Sequence, residues 1–139
     1  MELKNKRIIV TGGSDGIGRH ICLKLAAVGT RLAILGRDAD RLAAVEAECV
    51  AAGASEAIGI ACDIQNPDAI SGAVEQVTAA FGGLDILINN AGIWHKTGPL
   101  DEIPPQLLQA TVQTNLTGLM QIPQAAIPAL RANDEGIIL

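Results

Sequence analysis

Residues Lys6 to Gly18 read KRIIVTGGSDGIG. A short β-branched run, Ile8-Ile9-Val10, leads into Thr11-Gly12 and then Gly16-Ile17-Gly18, and an amphipathic stretch follows from Arg19 to Val28. Strand, glycine turn and helix in that order make a site for a diphosphate, because the first turn of a helix leaves N–H groups unpaired and carries a partial positive charge. Gly12 can take a backbone shape closed to other residues, while Gly16 and Gly18 let a ligand and the strand come close. The competing reading is a tight turn between strand and helix with no ligand. The other polar clusters also follow apolar runs: Cys62-Asp63-Ile64, and Asn89-Asn90-Ala91-Gly92.

The elements that position these clusters follow from two alternating periods. Strand-like runs are Arg7–Val10, Arg31–Leu35, Ala57–Ala61, Ile86–Ile88 and Ile137–Leu139. Between them, apolar residues recur at helical spacing: Ile17, Ile21, Leu25 and Val28, then Leu42, Val45, Cys49 and Val50, then Ile70, Val74, Val77 and Phe81. Asn66 is placed to cap the third helix, with Pro67 in its first turn. Gly29, Gly53 and Gly82-Gly83 are placed to close the first three helices. A long fourth helix is expected from about Gln106 to Arg131. Strands separated by helices predict an α/β fold with a doubly wound parallel sheet, its ligand crevice at the carboxyl ends of the strands. Residues 1–139 read as one such domain.

Composition narrows the partners. Apolar residues make up 49% of the chain, enough for a core. The net charge of −5 and scattered basic residues argue against nucleic acid. No apolar run approaches the roughly 18 residues of a membrane span, and the N-terminus does not read as a signal peptide. Cys22, Cys49 and Cys62 lack a CxxC spacing and read as reduced, buried thiols of a cytoplasmic protein, and no metal site is expected.

Four blocks coincide: Thr11-Gly12-Gly13-Ser14-Asp15-Gly16-Ile17-Gly18, Cys62-Asp63-Ile64, Asn89-Asn90-Ala91-Gly92, and Asn115-Leu116-Thr117-Gly118 in the fourth helix. Together they resemble the short-chain dehydrogenase/reductase family over essentially the whole chain. The resemblance implies a Rossmann fold and a nicotinamide-dependent oxidoreductase acting on a small carbonyl or alcohol. It implies that Gly12, Ser14, Asp15, Gly16, Ile17 and Gly18 line the cofactor diphosphate and ribose. Asp63 would meet the adenine amino group, with Ile64 beside it; the alternative is a cap on the following turn. Asn90, Ala91 and Gly92 would pack along the adenosine ribose, and Asn89 would hold neighbouring strands. Asn115 matches the asparagine that orders a water in the family's proton relay. A mid-helix asparagine with no such role faces solvent or bonds back to its own helix.

The end of the second strand bears on the choice of cofactor. An acid there would bind both ribose hydroxyls of NAD, but Gly36 stands at that position and Arg37 follows. A guanidinium can grip a 2′-phosphate with two hydrogen bonds, which favours NADP over NAD. Asp15, at a position basic in many NADP-preferring relatives, works the other way, as do Asp38 and Asp40. The alternative for Arg37 is a solvated loop charge.

The family's proton transfer uses a Tyr, a Lys four residues later and a preceding Ser, all beyond the fifth strand. This sequence contains no Tyr, and of the catalytic set only Asn115 is matched. The resemblance therefore leads us to expect an incomplete domain, ending inside the fifth strand and inactive alone. The competing class is a non-catalytic dinucleotide-binding or interaction module. A methyl-donor Rossmann domain fits the NNAG and NLTG blocks poorly. His20 falls on the first helix, and His95 reads as a loop residue, though it is the one titratable histidine near the crevice. Trp94 is either a substrate wall or an anchor over the core. The resemblance also implies a homo-oligomer, or self-association through the long fourth helix. Pro123, well inside that helix, is expected to cost ~3 kcal/mol unless a kink accommodates it.

Overall fold

Apolar strands buried on both faces organise the chain. In the computed structural model, which describes residues 2–94, 98–133 and 135–139, β1 spans Arg7–Thr11, β2 Arg31–Gly36, β3 Glu56–Ala61, β4 Ile86–Ile88 and β5 Ile137–Ile138. The helices are α1 (Gly16–Ala26), α2 (Ala39–Ala52), α3 (Pro67–Phe81), α4 (Pro105–Val112) and α5 (Leu119–Arg131). The strands pair in parallel in the order β3-β2-β1-β4-β5. Strand order therefore reverses between β1 and β4, the doubly wound arrangement that opens a crevice at the strand ends.

Successive strand residues serve opposite cores. Ile8, Val10, Leu32, Ile34 and Ile86 pack beneath α1 and α2 with Cys22, Ala26, Leu42, Val45 and Cys49. Ile9, Ala33, Leu35 and Leu87 pack beneath α3 and α5 with Ile70, Val77, Phe81, Ile122 and Leu130. Each fully buried Ile or Leu contributes on the order of 1.5–3 kcal/mol. Burial pushes the Cys22 thiol up to about 12 and the Cys49 thiol up to about 11, so both are protonated at neutral pH.

Local signals set most helix ends. Asn66 accepts the N–H groups of Asp68 and Ala69, and Pro67 opens α3. Asp38 accepts the Arg41 N–H at the start of α2. Gly53 (φ +111°) and Gly82 (φ +73°) end α2 and α3 in the left-handed region.

Three boundaries differ from the sequence reading. The first helix spans Gly16–Ala26 rather than Arg19–Val28, because Asp15 caps it and draws the Gly16-Ile17-Gly18 segment into its first turn. Its cap is Ala27, and Gly29 carries the turn two residues later at φ +74°. The fourth helix is not uniform: a wide π turn over Gln113–Gly118 separates α4 from α5. α5 continues through Pro123 and Pro128 to Arg131. Among the described residues, no helix is long and apolar enough to cross a membrane.

Candidate functional site

The glycine turn is stitched to the loop after β4 through one buried side chain. Thr11 Oγ1 donates to the Ile88 carbonyl at 3.3 Å and accepts the N–H groups of Asn90 and Ala91, both at 2.9 Å. Asn90 Nδ2 donates back to the Thr11 and Gly12 carbonyls at 3.0 and 3.3 Å. The two loops meet closely: a Cβ on Gly12 would lie 2.9 Å from Ala91 Cα, and one on Gly18 would run into the Gly12 carbonyl. At Gly16 the situation is opposite. Its φ is +51°, and a Cβ there would meet nothing within 4 Å. The N-terminus of α1 thus opens onto free space.

That space is a crevice of about 640 Å³ at the C-terminal rim of the sheet. It brings together Gly12, Ser14, Asp15, Gly16, Ile17, Gly18, Arg37, Asp63, Ile64, Asn90, Ala91 and Gly92, twelve positions drawn from the ends of four strands. Ile17 is 75% exposed at its mouth. Asp63 combines both of its sequence readings: it lines the crevice, and its Oδ1 caps the next turn by accepting the Gln65 N–H at 3.0 Å. Gly36 lies against the glycine turn. A Cβ there would meet Ser14 Oγ at 2.7 Å and Ser14 Cβ at 3.1 Å, so a side chain at this position requires Ser14 to move. Among the described residues, no group of three or more His, Cys, Asp and Glu side chains is placed to hold a metal ion.

Asn115 does not line the main crevice. Its amide pairs with the backbone of Ile93: Oδ1 accepts the Ile93 N–H, and Nδ2 donates to the Ile93 carbonyl, both at 2.8 Å. It neither faces solvent freely nor bonds back to its own helix. The wide turn that carries it is of a kind found often at functional sites. Thr114 in the same turn accepts Gln65 Nε2 at 2.8 Å, joining the loops after β3 and β4 to the helix. Asn89 reaches β5 through its backbone, its N–H donating to the Leu139 carbonyl at 2.8 Å. Trp94 is 82% exposed, so the core-anchor reading is wrong for it. His20 bonds to the Gly16 carbonyl through Nδ1 at 2.8 Å. His95 lies outside the described residues.

Sequence reading missed Thr11 as a hub, and Gln65, Thr114 and Arg41 as lining residues. Only the TG spacing pointed to Thr11; Arg41 is the third residue of α2 and carried no local signal.

The description "short chain dehydrogenase" fits a family model that matches residues 6–139. The chain belongs to this family. Among curated short-chain relatives, the cis-2,3-dihydrobiphenyl-2,3-diol dehydrogenase of Paraburkholderia xenovorans is 32% identical over 99% of this chain and 50% of its own length. The D-beta-hydroxybutyrate dehydrogenase of Cupriavidus necator is 34% identical over 99% and 52%. A short-chain dehydrogenase from Burkholderia cenocepacia, solved in complex with NADP, is 44% identical with a TM-score of 0.85, over 94% of this chain and 53% of that one. An NAD+-bound xylitol dehydrogenase is 30% identical with a TM-score of 0.94, over 99% and 53%. The chain therefore spans about half the length of the curated relatives it matches.

Proposed function

We propose that the crevice binds a nicotinamide dinucleotide, NADP in preference to NAD, and that the protein serves hydride transfer between NADP(H) and a small carbonyl or hydroxyl substrate. The observation that carries this is the open N-terminus of α1 at Gly16, surrounded by the twelve positions that the family resemblance assigns to the cofactor. When bound, the cofactor supplies or accepts the hydride. The chain's own residues bind and orient it. The backbone of Ser14, Ile17 and Gly18 would offer N–H groups to the diphosphate, the Gly16 N–H being held by Asp15; Asp63 and Ile64 would take the adenine, and Asn90, Ala91 and Gly92 would lie along the adenosine ribose. Asn115 holds the Ile93 loop and, in the complete proton relay, would order a water.

Preference for NADP is supported by Gly36, which offers no acid to the ribose, and by Arg37, exposed beside it. The Burkholderia relative in complex with NADP points the same way, while the NAD+-bound xylitol dehydrogenase shows that the fold also serves NAD. Losing a charge-assisted contact to the 2′-phosphate costs about 1.5–3 kcal/mol. Arg37→Ala is therefore expected to weaken NADP strongly and NAD little in calorimetric titration. Equal losses for both would remove Arg37 from the phosphate site.

A second reading, a dinucleotide-binding or interaction module, is favoured by one feature of the surface. Leu108, Val112, Leu116 and Met120 form an exposed apolar stripe along α4, the π turn and α5, suited to self-association. An assay of the 139-residue chain with NADPH and NADH against ketones and aldehydes, with sedimentation of the same sample, separates the readings. Turnover by this chain would point to an acid other than Tyr and overturn the module reading; binding and self-association without turnover, in a source reading frame that does not continue into a Ser and a YxxxK pattern, would support it.

A further inference from the structure

Asp15 caps α1 with both carboxylate oxygens engaged. Oδ1 accepts the Gly16 N–H at 2.7 Å, and Oδ2 accepts Arg41 Nη1 at 2.8 Å. A helix-terminal N–H and a guanidinium are the donors that a phosphate oxygen takes. The carboxylate thus holds an anion's place at the mouth of the crevice. Arg41 is fixed there from its own side: its N–H donates to Asp38 Oδ1 at 3.0 Å, and its Nε lies 3.5 Å from Asp38 Oδ2. Arg37, Asp38, Arg41 and Asp15 all line the same crevice.

The Arg41 side chain is 60% exposed and that of Asp15 74%. Ion pairs this exposed are weak and exchange readily. A guanidinium on a phosphate forms shorter, charge-assisted bonds in a forked geometry. A phosphate at the end of β2 would therefore outcompete the Asp15 carboxylate for Arg41. We propose that Arg41 is a second specificity-determining cation for the 2′-phosphate of NADP, released to it by Asp15, and that Asp15 tempers the discrimination by competing for Arg41. This deepens the NADP reading given above and rests on it.

The test is calorimetric titration of the 139-residue chain with NADP, NAD and adenosine 2′,5′-bisphosphate. Arg41→Ala should lower the NADP-to-NAD affinity ratio about tenfold, the size of one charge-assisted contact. Asp15→Asn should raise that ratio about threefold, the scale of an exposed ion pair. In the Arg41→Ala background, Asp15→Asn should no longer raise it. The exposed side chains leave the core intact, and circular dichroism checks this. A wild-type chain that prefers NADP while Arg41→Ala leaves the ratio unmoved would overturn this inference and spare the NADP reading. An Asp15→Asn gain that persists without Arg41 would show direct repulsion of the phosphate and overturn the exchange. A wild-type chain that prefers NAD and ignores the bisphosphate would overturn the NADP reading, and this inference with it.

Discussion

At the N-terminal ends of the strands, charges close on each other. Asp85 accepts Arg7 through both oxygens, from Nε and the backbone N–H on Oδ2 and from Nη2 on Oδ1. The remaining Arg7 donors reach the Gly82 carbonyl and Asn133 Oδ1. Arg31 pairs with Glu56 across β2 and β3, donates to the Phe81 carbonyl, and lies 4.8 Å over the Phe81 ring. At the C-terminal ends of the same strands lie glycines, exposed carboxylates and two exposed arginines, Arg37 and Arg41. Gly12, Gly16 and Gly18 keep the backbone bare, and Asp15, Arg37 and Asp63 are exposed. One rim locks α3, β4 and the end of α5 together. The other holds its charges only loosely, in the exposed pairing of Arg41 with Asp15 and Asp38. A parallel sheet makes this division possible, because all its strands end on one side.

The largest expected effect comes from breaking the locked rim. Asp85→Ala leaves Arg7 without its carboxylate and should cost about 3 kcal/mol in urea unfolding. Dinucleotide affinity of the folded fraction should stay within about twofold, since the two rims are distant and share no side chain. A parallel loss of affinity would show that they are coupled.

The next effect belongs to the open rim. Asn tolerates the left-handed backbone of Gly16, so Gly16→Asn keeps the turn while placing a side chain in the vacant approach to α1. Calorimetry should show dinucleotide affinity falling at least tenfold, or ~1.4 kcal/mol, with a much smaller change in the urea midpoint. If the midpoint falls and affinity does not, the open rim is structural after all.

Acid sharpens the contrast further. Arg7 holds the Asp85 carboxyl below its usual range. Its folded pKa lies under its unfolded one, so its stabilisation is full above the unfolded value, near ~4, and is lost as pH falls through the folded value. Unfolding measured from pH 6 to 2.5 should show wild type losing its advantage over Asp85→Asn at the acid end. A gap that does not narrow at all as the pH falls would mean the pair's charge is not the source. The smallest effect concerns Cys22 and Cys49, beneath the glycine turn and α2. With thiols held protonated up to about 12 and 11, neither should react with a thiol reagent at pH 8 until the chain unfolds. Rapid labelling of folded protein would show that the open rim extends into looseness of the core below it.

Much of this was legible along the chain. The apolar runs placed the strands within a residue or so, because strands buried on both faces must be apolar throughout. Asn66 and Pro67 announced α3. The glycine turn, Asp63, Asn90 and Arg37 were named from their places after strand ends, and they converge on one crevice. The start of α1 was misjudged because Asp15 caps a helix whose first three residues include two glycines, poor helix formers by propensity. The π turn was invisible, since its wide hydrogen bonding leaves no apolar period distinct from the flanking α-helices. Trp94 was ambiguous because a lone aromatic in a polar loop carries no directional signal.

By itself, then, the sequence determined the alternation of strand and helix, the bare glycine turn and the missing acid after β2. These depend on backbone sterics and on periods of two and 3.6 residues, which act over a few residues. Only the tertiary structure decided the partners. Asn115 pairs with Ile93, 22 residues away, and Arg41 with Asp15, 26 residues away. Arg7 meets Asp85 78 residues on. Such pairs form because the crossovers of the parallel sheet bring separate strand ends side by side, and no local rule of the chain specifies which side chains then meet.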